Sequence, residues 1–341
     1  MNFTNVLIAW YLQHKRELPW RDTLDPYPIW LSEIILQQTR VAQGMPYFFS
    51  FLEAFPTVSD LADAPEEKVL KLWQGLGYYS RARNLHQTAQ HITYELGGKF
   101  PGNYAGLLKL KGVGDYTAAA IASFAYAEAV PVVDGNVFRV LSRFFGIATD
   151  ISGAPARKEF ATLARTLMPD DDPATFNQAL MEFGALQCVP KNPDCAICPL
   201  NDGCVALRDG KVDKLPVKSK KTKVRTRFLN YLVVRDSAGR SVVQKRTGKG
   251  IWRNLYEFPL VETNAAATDQ WIADRAAQLF REIAYVTRRQ TVNHKLTHQN
   301  LHITFWHVEV NGLVDGAVSG QALRDYPFPV ALYNFIANHW Q

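Results

Sequence analysis

The chain has 341 residues, 47% of them apolar, a formal net charge of +6 and four cysteines. That length suggests about two domains with ordinary buried cores, and no apolar run reaches the roughly 18 residues that a membrane helix needs. A positive balance suits a polyanionic partner, and a chain this long needs no disulfide staples, so a reducing, cytoplasmic setting is expected.

From the N-terminus, Asn5 to Leu12 reads as an amphipathic first helix, with neither a basic leader nor a small-residue cleavage site. Helical period recurs over 4–15, 29–43, 66–73, 80–96, 115–127, 135–145, 156–167 and 174–186, with turn residues between. Within 29–43, Glu33 has Ile29, Trp30, Leu36 and Gln37 three and four residues away on the same helical face. Burial among such neighbours disfavours charge and raises a carboxyl's pKa, which makes it a usable general acid near neutral pH. Taken alone, a surface glutamate is the plainer reading. Further on, Leu110 to Thr117 joins two helical stretches through Gly112, Val113 and Gly114. The glycines permit a tight turn and close approach of another backbone, and the N–H groups of a helix starting near Asp115 would face an anion there. Asp134 stands just before a helix, where by itself it reads as an N-cap.

All four cysteines fall in one stretch, Cys188-x6-Cys195-x2-Cys198-x5-Cys204. Thiolates so arranged hold a cube of iron and sulfide. Structural zinc usually takes two close pairs, and only one is present; disulfides suit small secreted chains; both alternatives fit less well. Lys191, inside this loop, would be solvated or would meet a phosphate. The basic, core-poor run Lys211 to Lys223 reads as a solvated tether, 211–226. Beyond it the period shifts to two: Phe228–Arg235, Ser241–Gln244 and Leu301–Val310 read as strands, with one helix near 268–283. His294, His298 and His302 recur every four residues, but the alternation around them favours a strand or hairpin over a metal site.

The glycine turn resembles the helix-hairpin-helix that grips DNA phosphates, and with the cysteine loop it is similar to the endonuclease III superfamily of DNA glycosylases. More specifically, Leu18-Pro19-Trp20-Arg21, Trp30-Leu31-Ser32-Glu33, Leu36-Gln37-Gln38-Thr39 and Gly75 to Leu85 resemble the adenine DNA glycosylase family, over residues 1–205 almost continuously. The segments Val242 to Arg246 and Gly250 to Pro259 resemble that family's MutT-like (Nudix-fold) domain. The resemblance implies a multidomain chain. An all-α helix-hairpin-helix glycosylase domain, 1–210, would carry a [4Fe-4S] loop at 188–204, and a linker would lead to an α+β MutT-like domain at 227–341.

The resemblance also assigns roles. Glu33 would protonate adenine at N7 and Asp134 would stabilise the cationic sugar, as carboxylate pairs do in sugar hydrolases. Asn136 would help position water. Tyr116 stands where strand-cutting relatives carry a Schiff-base lysine, so base removal without efficient strand cleavage is expected; Lys111 lies on the turn instead. Trp20, Arg21, Leu36, Val41 and Glu182 would line the adenine pocket. Gln38 and Tyr78 would brace the duplex as the nucleotide turns out, and Gly112, Val113 and Gly114 would hold its backbone. Thr297 and His298, after Leu296, would read 8-oxoguanine, with Arg253 and Asn254 standing where small residues are common. Arg281-Glu282-Ile283 lacks the remaining acids of a Nudix metal helix, so a binding domain is expected there and not a hydrolase. The implied partner is double-stranded DNA with A:8-oxoguanine or A:G mispairs, met by a monomer that has no membrane association.

Overall fold

The computed structural model describes residues 2–219 and 223–340, without the side chain of Arg289. In chain order the helices and strands are α1 (Phe3–His14), α2 (Pro26–Ile35), α3 (Val41–Ala54), α4 (Val58–Asp63), α5 (Glu66–Leu72), α6 (Ser80–Glu95), α7 (Tyr104–Leu107), α8 (Asp115–Tyr126), α9 (Gly135–Phe145), α10 (Ala154–Leu167), α11 (Pro173–Leu186) and α12 (Val205–Arg208). There follow β1 (Arg225–Arg235), β2 (Gln244–Lys245), β3 (Tyr256–Glu257), β4 (Leu260–Thr263), α13 (Asp269–Leu279), β5 (Ile283–Lys295), β6 (Gln299–Val310), α14 (Gly320–Leu323) and α15 (Val330–His339). The chain packs as two compact units, one of Met1–Ala62 with Gln87–Lys220 and one of Asp63–His86 with Lys221–Gln341. Among the described residues no helix is long and apolar enough to cross a membrane.

The first unit is helical. Its core joins Leu7 and Trp10 of α1, Val137 and Leu141 of α9, Phe160 of α10 and Phe176, Leu180 and Phe183 of α11. Apolar residues three and four apart give each helix one stripe to bury, and the stripes meet. The single helix expected over 29–43 is two. The helix starts earlier, where Asp25 accepts from the Tyr27 N–H at 2.9 Å, and stops at Ile35. Gln38 has a φ of 56°, a left-handed turn that no α-helix passes through. α3 then folds back closely: a Cβ on Gly44 would lie 2.7 Å from Leu36. The pattern concealed α3 because Gly44 and Pro46 lie inside it and read as breakers.

In the second unit a four-stranded sheet has the order β4-β1-β6-β5, with β1 and β6 parallel and the other pairs antiparallel. Leu232, Val234, Trp306 and Val308 face Ile272 and Ala276 of α13. On the other face Phe305 stacks on Phe335 of α15 at 4.0 Å. The strand expected over Ser241–Gln244 is reduced to a single bridge from Ser241 to Val318, and β2 begins only at Gln244. The helix expected to run to 283 stops at Leu279. The next residues form β5, whose register shifts at Ile283/Tyr285 and Arg288/Gln290 break the two-residue alternation that reveals a strand. Glu282 is therefore not on a helix, as a Nudix metal site would need. The β5–β6 turn carries Thr297 and His298 at its tip. His294 and His302 lie on the two strands, and no group of three or more His, Cys, Asp or Glu among the described residues is arranged to hold a single metal ion.

The expected tether is partly docked. Within the first unit the carbonyls of Val212 and Leu215 accept from Arg143 Nε at 3.0 and 3.1 Å, and the Val217 carbonyl accepts from the Ile151 N–H at 3.0 Å. Leu215 is buried. Charge in this run therefore marks its outer side only, and β1 already starts at Arg225. Lys220 to Thr222 of the predicted tether lie outside the described residues.

Candidate active site and iron–sulfur loop

Three side chains meet in the first unit. Glu33 comes from the middle of α2, whose Ile29, Trp30, Leu31, Ile34 and Ile35 are all buried, and the residue itself is only 7% exposed. Tyr116 comes from the first turn of α8 and Asp134 from the residue before α9. Burial pushes Glu33 from the ordinary 4.5 to about 7; the Tyr116 hydroxyl, donating to it, and the positive Arg21 pull the other way, while negative Asp134 adds to the rise. Burial likewise lifts Tyr116 far above its ordinary value, so it stays a donor.

Asp134 is both cap and site. Its Oδ1 accepts from the N–H groups of Asn136 and Val137, each at 2.8 Å, and its Oδ2 accepts from Asn136 Nδ2 at 2.7 Å. Burial raises its pKa, and these bonds together with Arg139 oppose the rise by favouring the carboxylate. Asn136, expected to hold water, has its Oδ1 on Arg139 Nη2 at 2.8 Å. Its amide thus orients Asp134 first, which leaves one N–H for water. Gly184 makes this possible, since a Cβ there would lie 2.6 Å from that of Asn136.

Of the residues expected to form the base pocket, Arg21 and Glu182 form a charged clamp and Trp20, Leu36 and Val41 lie on neighbouring elements. Glu182, almost fully buried, accepts Arg16 Nε at 2.8 Å and Nη2 at 2.6 Å, and Arg21 Nη2 at 2.8 Å. Burial alone would raise its pKa, but the two guanidinium groups bring it down to about 2, so Glu182 is a fixed anion that aims Arg21. Trp20 packs edge-on to Phe48 at 5.0 Å, Leu36 caps α2 and Val41 opens α3. Arg16 has no place in the sequence reading, because it is 166 positions from its partner.

In the hairpin, Gly112 has the left-handed φ of 75° that a glycine supplies without strain, and Val113 is buried. Gly114 is extended, precedes α8 without any side-chain cap, and has open space where a Cβ would stand. The first N–H groups of α8 are therefore left without a side-chain cap. Gln38 sits in the left-handed region in this unit. Tyr78, with φ 47° and 41% exposed, does so in the other, where its hydroxyl is hydrogen-bonded to Thr297 Oγ1.

The four cysteines line one cavity, with Arg143 at its edge. Four thiols that line one cavity suit a multi-iron cluster. Two arginines, both unforeseen, tie this loop to α9. Arg143 donates to Cys188 Sγ at 3.4 Å and to the carbonyls of Val189 and Pro190 at 2.8 and 3.0 Å. Arg139 donates through Nε to the Cys188 carbonyl at 2.7 Å and through Nη2 to Gly184 at 2.6 Å and to Asn136. A chain of bonds thus runs from the first cysteine to Asp134. The only sequence signal was two arginines four apart on the buried side of an apolar helix.

Comparison with known proteins gives the family. Residues 31–166 match the HhH-GPD superfamily base excision DNA repair protein, 188–204 the iron–sulfur binding domain of endonuclease III, and 230–338 the NUDIX domain. An adenine DNA glycosylase of Buchnera aphidicola subsp. Schizaphis graminum is 35% identical over 302 residues, 88% of this chain and 86% of that protein. The chain belongs to the adenine DNA glycosylase family. A human adenine DNA glycosylase is 45% identical over 213 residues, 60% of this chain and 39% of that protein. Among solved structures, a thermostable thymine-DNA glycosylase superposes with a TM-score of 0.56 at 29% identity, over 61% of this chain and 95% of that one. A non-covalent endonuclease III–DNA complex gives 0.54 at 22%, over 61% and 94%, a likeness of fold. Like the family, the chain carries a [4Fe-4S] cluster, which its four cysteines hold as a base excision repair glycosylase of the endonuclease III type does.

Proposed function

We propose that this adenine DNA glycosylase excises adenine opposite 8-oxoguanine, or opposite guanine, in duplex DNA, by hydrolysis of the N-glycosidic bond without strand cleavage. The observation that carries the reading is the buried, proton-holding Glu33 beside a capped Asp134. Leaving as an anion is hard for adenine; a proton at N7 from Glu33 makes it a neutral leaving group. Positive charge then grows on the sugar as the bond to the base breaks, and Asp134, held by three donors, stabilises it by charge or transient bonding. Water adds at C1′ while its proton passes to the Glu33 carboxylate left by the first step. Tyr116 supports Glu33, Asn136 and Arg139 position Asp134, and Trp20, Leu36, Val41 and the Glu182-aimed Arg21 shape the base pocket. Gln38 and Tyr78 brace the opened duplex, and Gly112, Val113 and Gly114 grip its backbone. Thr297 and His298 read the opposite base.

In this scheme 1–210 is the catalytic domain, 211–226 the connection and 227–341 the reader, and the protein acts as a cytoplasmic monomer. When bound, the cluster ties down the 188–204 loop, and so the carbonyl on which Arg139 rests. The deciding experiment is single-turnover excision on duplexes pairing adenine with 8-oxoguanine, guanine or thymine, with and without alkali. Excision should be fastest opposite 8-oxoguanine and absent opposite thymine, with strand breaks only after alkali. Equal rates on all three would refute the reading.

Two substitutions test the roles individually. Tyr116→Lys places an amine beside Asp134 and should gain borohydride-trappable strand cleavage. No trapped adduct at all would show that position 116 does not face the sugar. Arg139→Met should slow excision about ten- to a hundredfold, as loss of an outer positioning group does, with duplex affinity nearly intact. An unchanged rate would mean that Asp134 needs no such support.

A further inference from the structure

The segment Gly250 to Leu255 was singled out by its sequence, yet the reading above gives it no task. In the second unit its first three residues, Gly250, Ile251 and Trp252, line a cavity of about 420 Å3 that Tyr78, Thr297 and His298 line as well. The segment is conformationally costly. Trp252 and Asn254 have φ of 61° and 65°, the left-handed region that non-glycine residues avoid, and Gly250 has 131°. Asparagine tolerates such a conformation; a tryptophan does not adopt it without support, and strain of this kind collects at functional sites.

The support is Arg246. Its N–H donates to the Leu255 carbonyl at 2.8 Å and its carbonyl accepts from the Asn254 N–H at 2.7 Å. Its Nε donates to the Ile251 carbonyl at 3.0 Å. One residue therefore laces the loop at three points. The guanidinium is itself fixed by Glu257, through Nη1 to Oε2 at 2.7 Å, and the same oxygen accepts from the Tyr231 hydroxyl of β1 at 3.1 Å. Glu257 is 4% exposed and Trp252 7%, so neither the anchor nor the indole is a surface ornament.

We propose that Trp252, positioned by Arg246, is a specificity-determining residue that sets the width of the slot in which the opposite base is read. The inference rests on the proposed reader role of this unit. The buried indole, tilted against His294 of β5 with ring centroids 6.1 Å apart, fixes the loop relative to the polar hairpin tip, so that the cavity they both line is a slot of set width for a flat heteroaromatic base hydrogen-bonded at its edge. 8-Oxoguanine differs from guanine by one carbonyl oxygen and one ring N–H. A difference so small is sensed only if donors and acceptors are held within a fraction of an ångström, which a rigid wall supplies and a slack one does not.

The test is single-turnover excision by the full-length, cluster-bearing protein on A:8-oxoguanine and A:G duplexes. In Trp252→Ala the ratio of the two rates should fall about tenfold; Trp252→Phe should restore most of it. Arg246→Lys, which keeps the charge facing Glu257 but loses the planar fork, should lower the ratio less, in the same direction. A ratio within twofold of the wild type in Trp252→Ala, or rates that fall in step on both duplexes, overturns the proposal. A wild-type protein that does not distinguish the duplexes overturns the reader role itself, an outcome visible before any variant is made.

Discussion

Glu33→Gln should abolish adenine release, lowering single-turnover excision by about a thousandfold, within the range that a positioned proton donor contributes. Glutamine keeps the size and the acceptor for Tyr116 but carries no acidic proton, so binding to the mispaired duplex should persist. The pH profile makes the same point. With Glu33 at about 7, the wild-type rate should hold below that value and drop about tenfold per unit above it, as the protonated fraction disappears. In the variant, what activity remains should lose that limb. A variant that releases adenine at the normal rate would remove Glu33 from the chemistry.

The same shift has a consequence for stability, and its sign is opposite to that for activity. A carboxyl whose folded pKa lies above its unfolded one binds the proton more tightly when folded. Its contribution is full below the unfolded value of 4.5 and is lost as pH rises through about 7. Across that span the loss is on the order of 3 kcal/mol. Glu33→Gln avoids it, so at pH 8 the inactive variant should resist urea better than the wild type, and near pH 4 the two should converge. Equal midpoints at both pH values would show that the site accommodates the ionised carboxylate at no cost. A gain of stability together with loss of function is what a strained catalytic acid predicts and a structural glutamate does not.

How far the sequence reached depends on how each residue earns its place. The cysteines were legible because an iron–sulfur loop needs that residue type at that spacing, whereas Glu33 and Asp134, alone a surface glutamate and an N-cap, stood out only through the resemblance. Gly112 was legible because its backbone demanded a glycine. Arg16 was not: a salt bridge across 166 positions leaves no local trace. Arg139 and Arg143 were missed for another reason. Their partners are mainly backbone carbonyls, those of residues 188–190 among them, and every residue has one, so nothing in the sequence announced a need for arginine. The break at Gln38 was also invisible, since a left-handed glutamine is not a turn signal. Each miss lies where tertiary packing overrode local pattern.

Asp134→Asn separates the two jobs of that residue. As a helix cap, asparagine is about as good as aspartate, so stability should change by less than about 1 kcal/mol, whereas Asp134→Ala should cost about 1 kcal/mol or more. Catalysis has no such tolerance. The neutral side chain cannot stabilise a cationic sugar by charge, and its Nδ2 would face Asn136 Nδ2, donor against donor. Asn136 cannot turn over without losing Arg139, which already holds its Oδ1. Excision should fall about a hundred- to a thousandfold, the usual loss when a preorganised electrostatic group is removed. A second signature distinguishes this from simple misfolding. The negative charge of Asp134 helps to hold Glu33 protonated, so its removal lowers the pKa of Glu33. The falling limb of the residual pH profile should therefore move to lower pH, and at neutrality more of the acid would be spent. An unmoved limb would mean that the two carboxyls do not share a field, and the paired mechanism would fail with it.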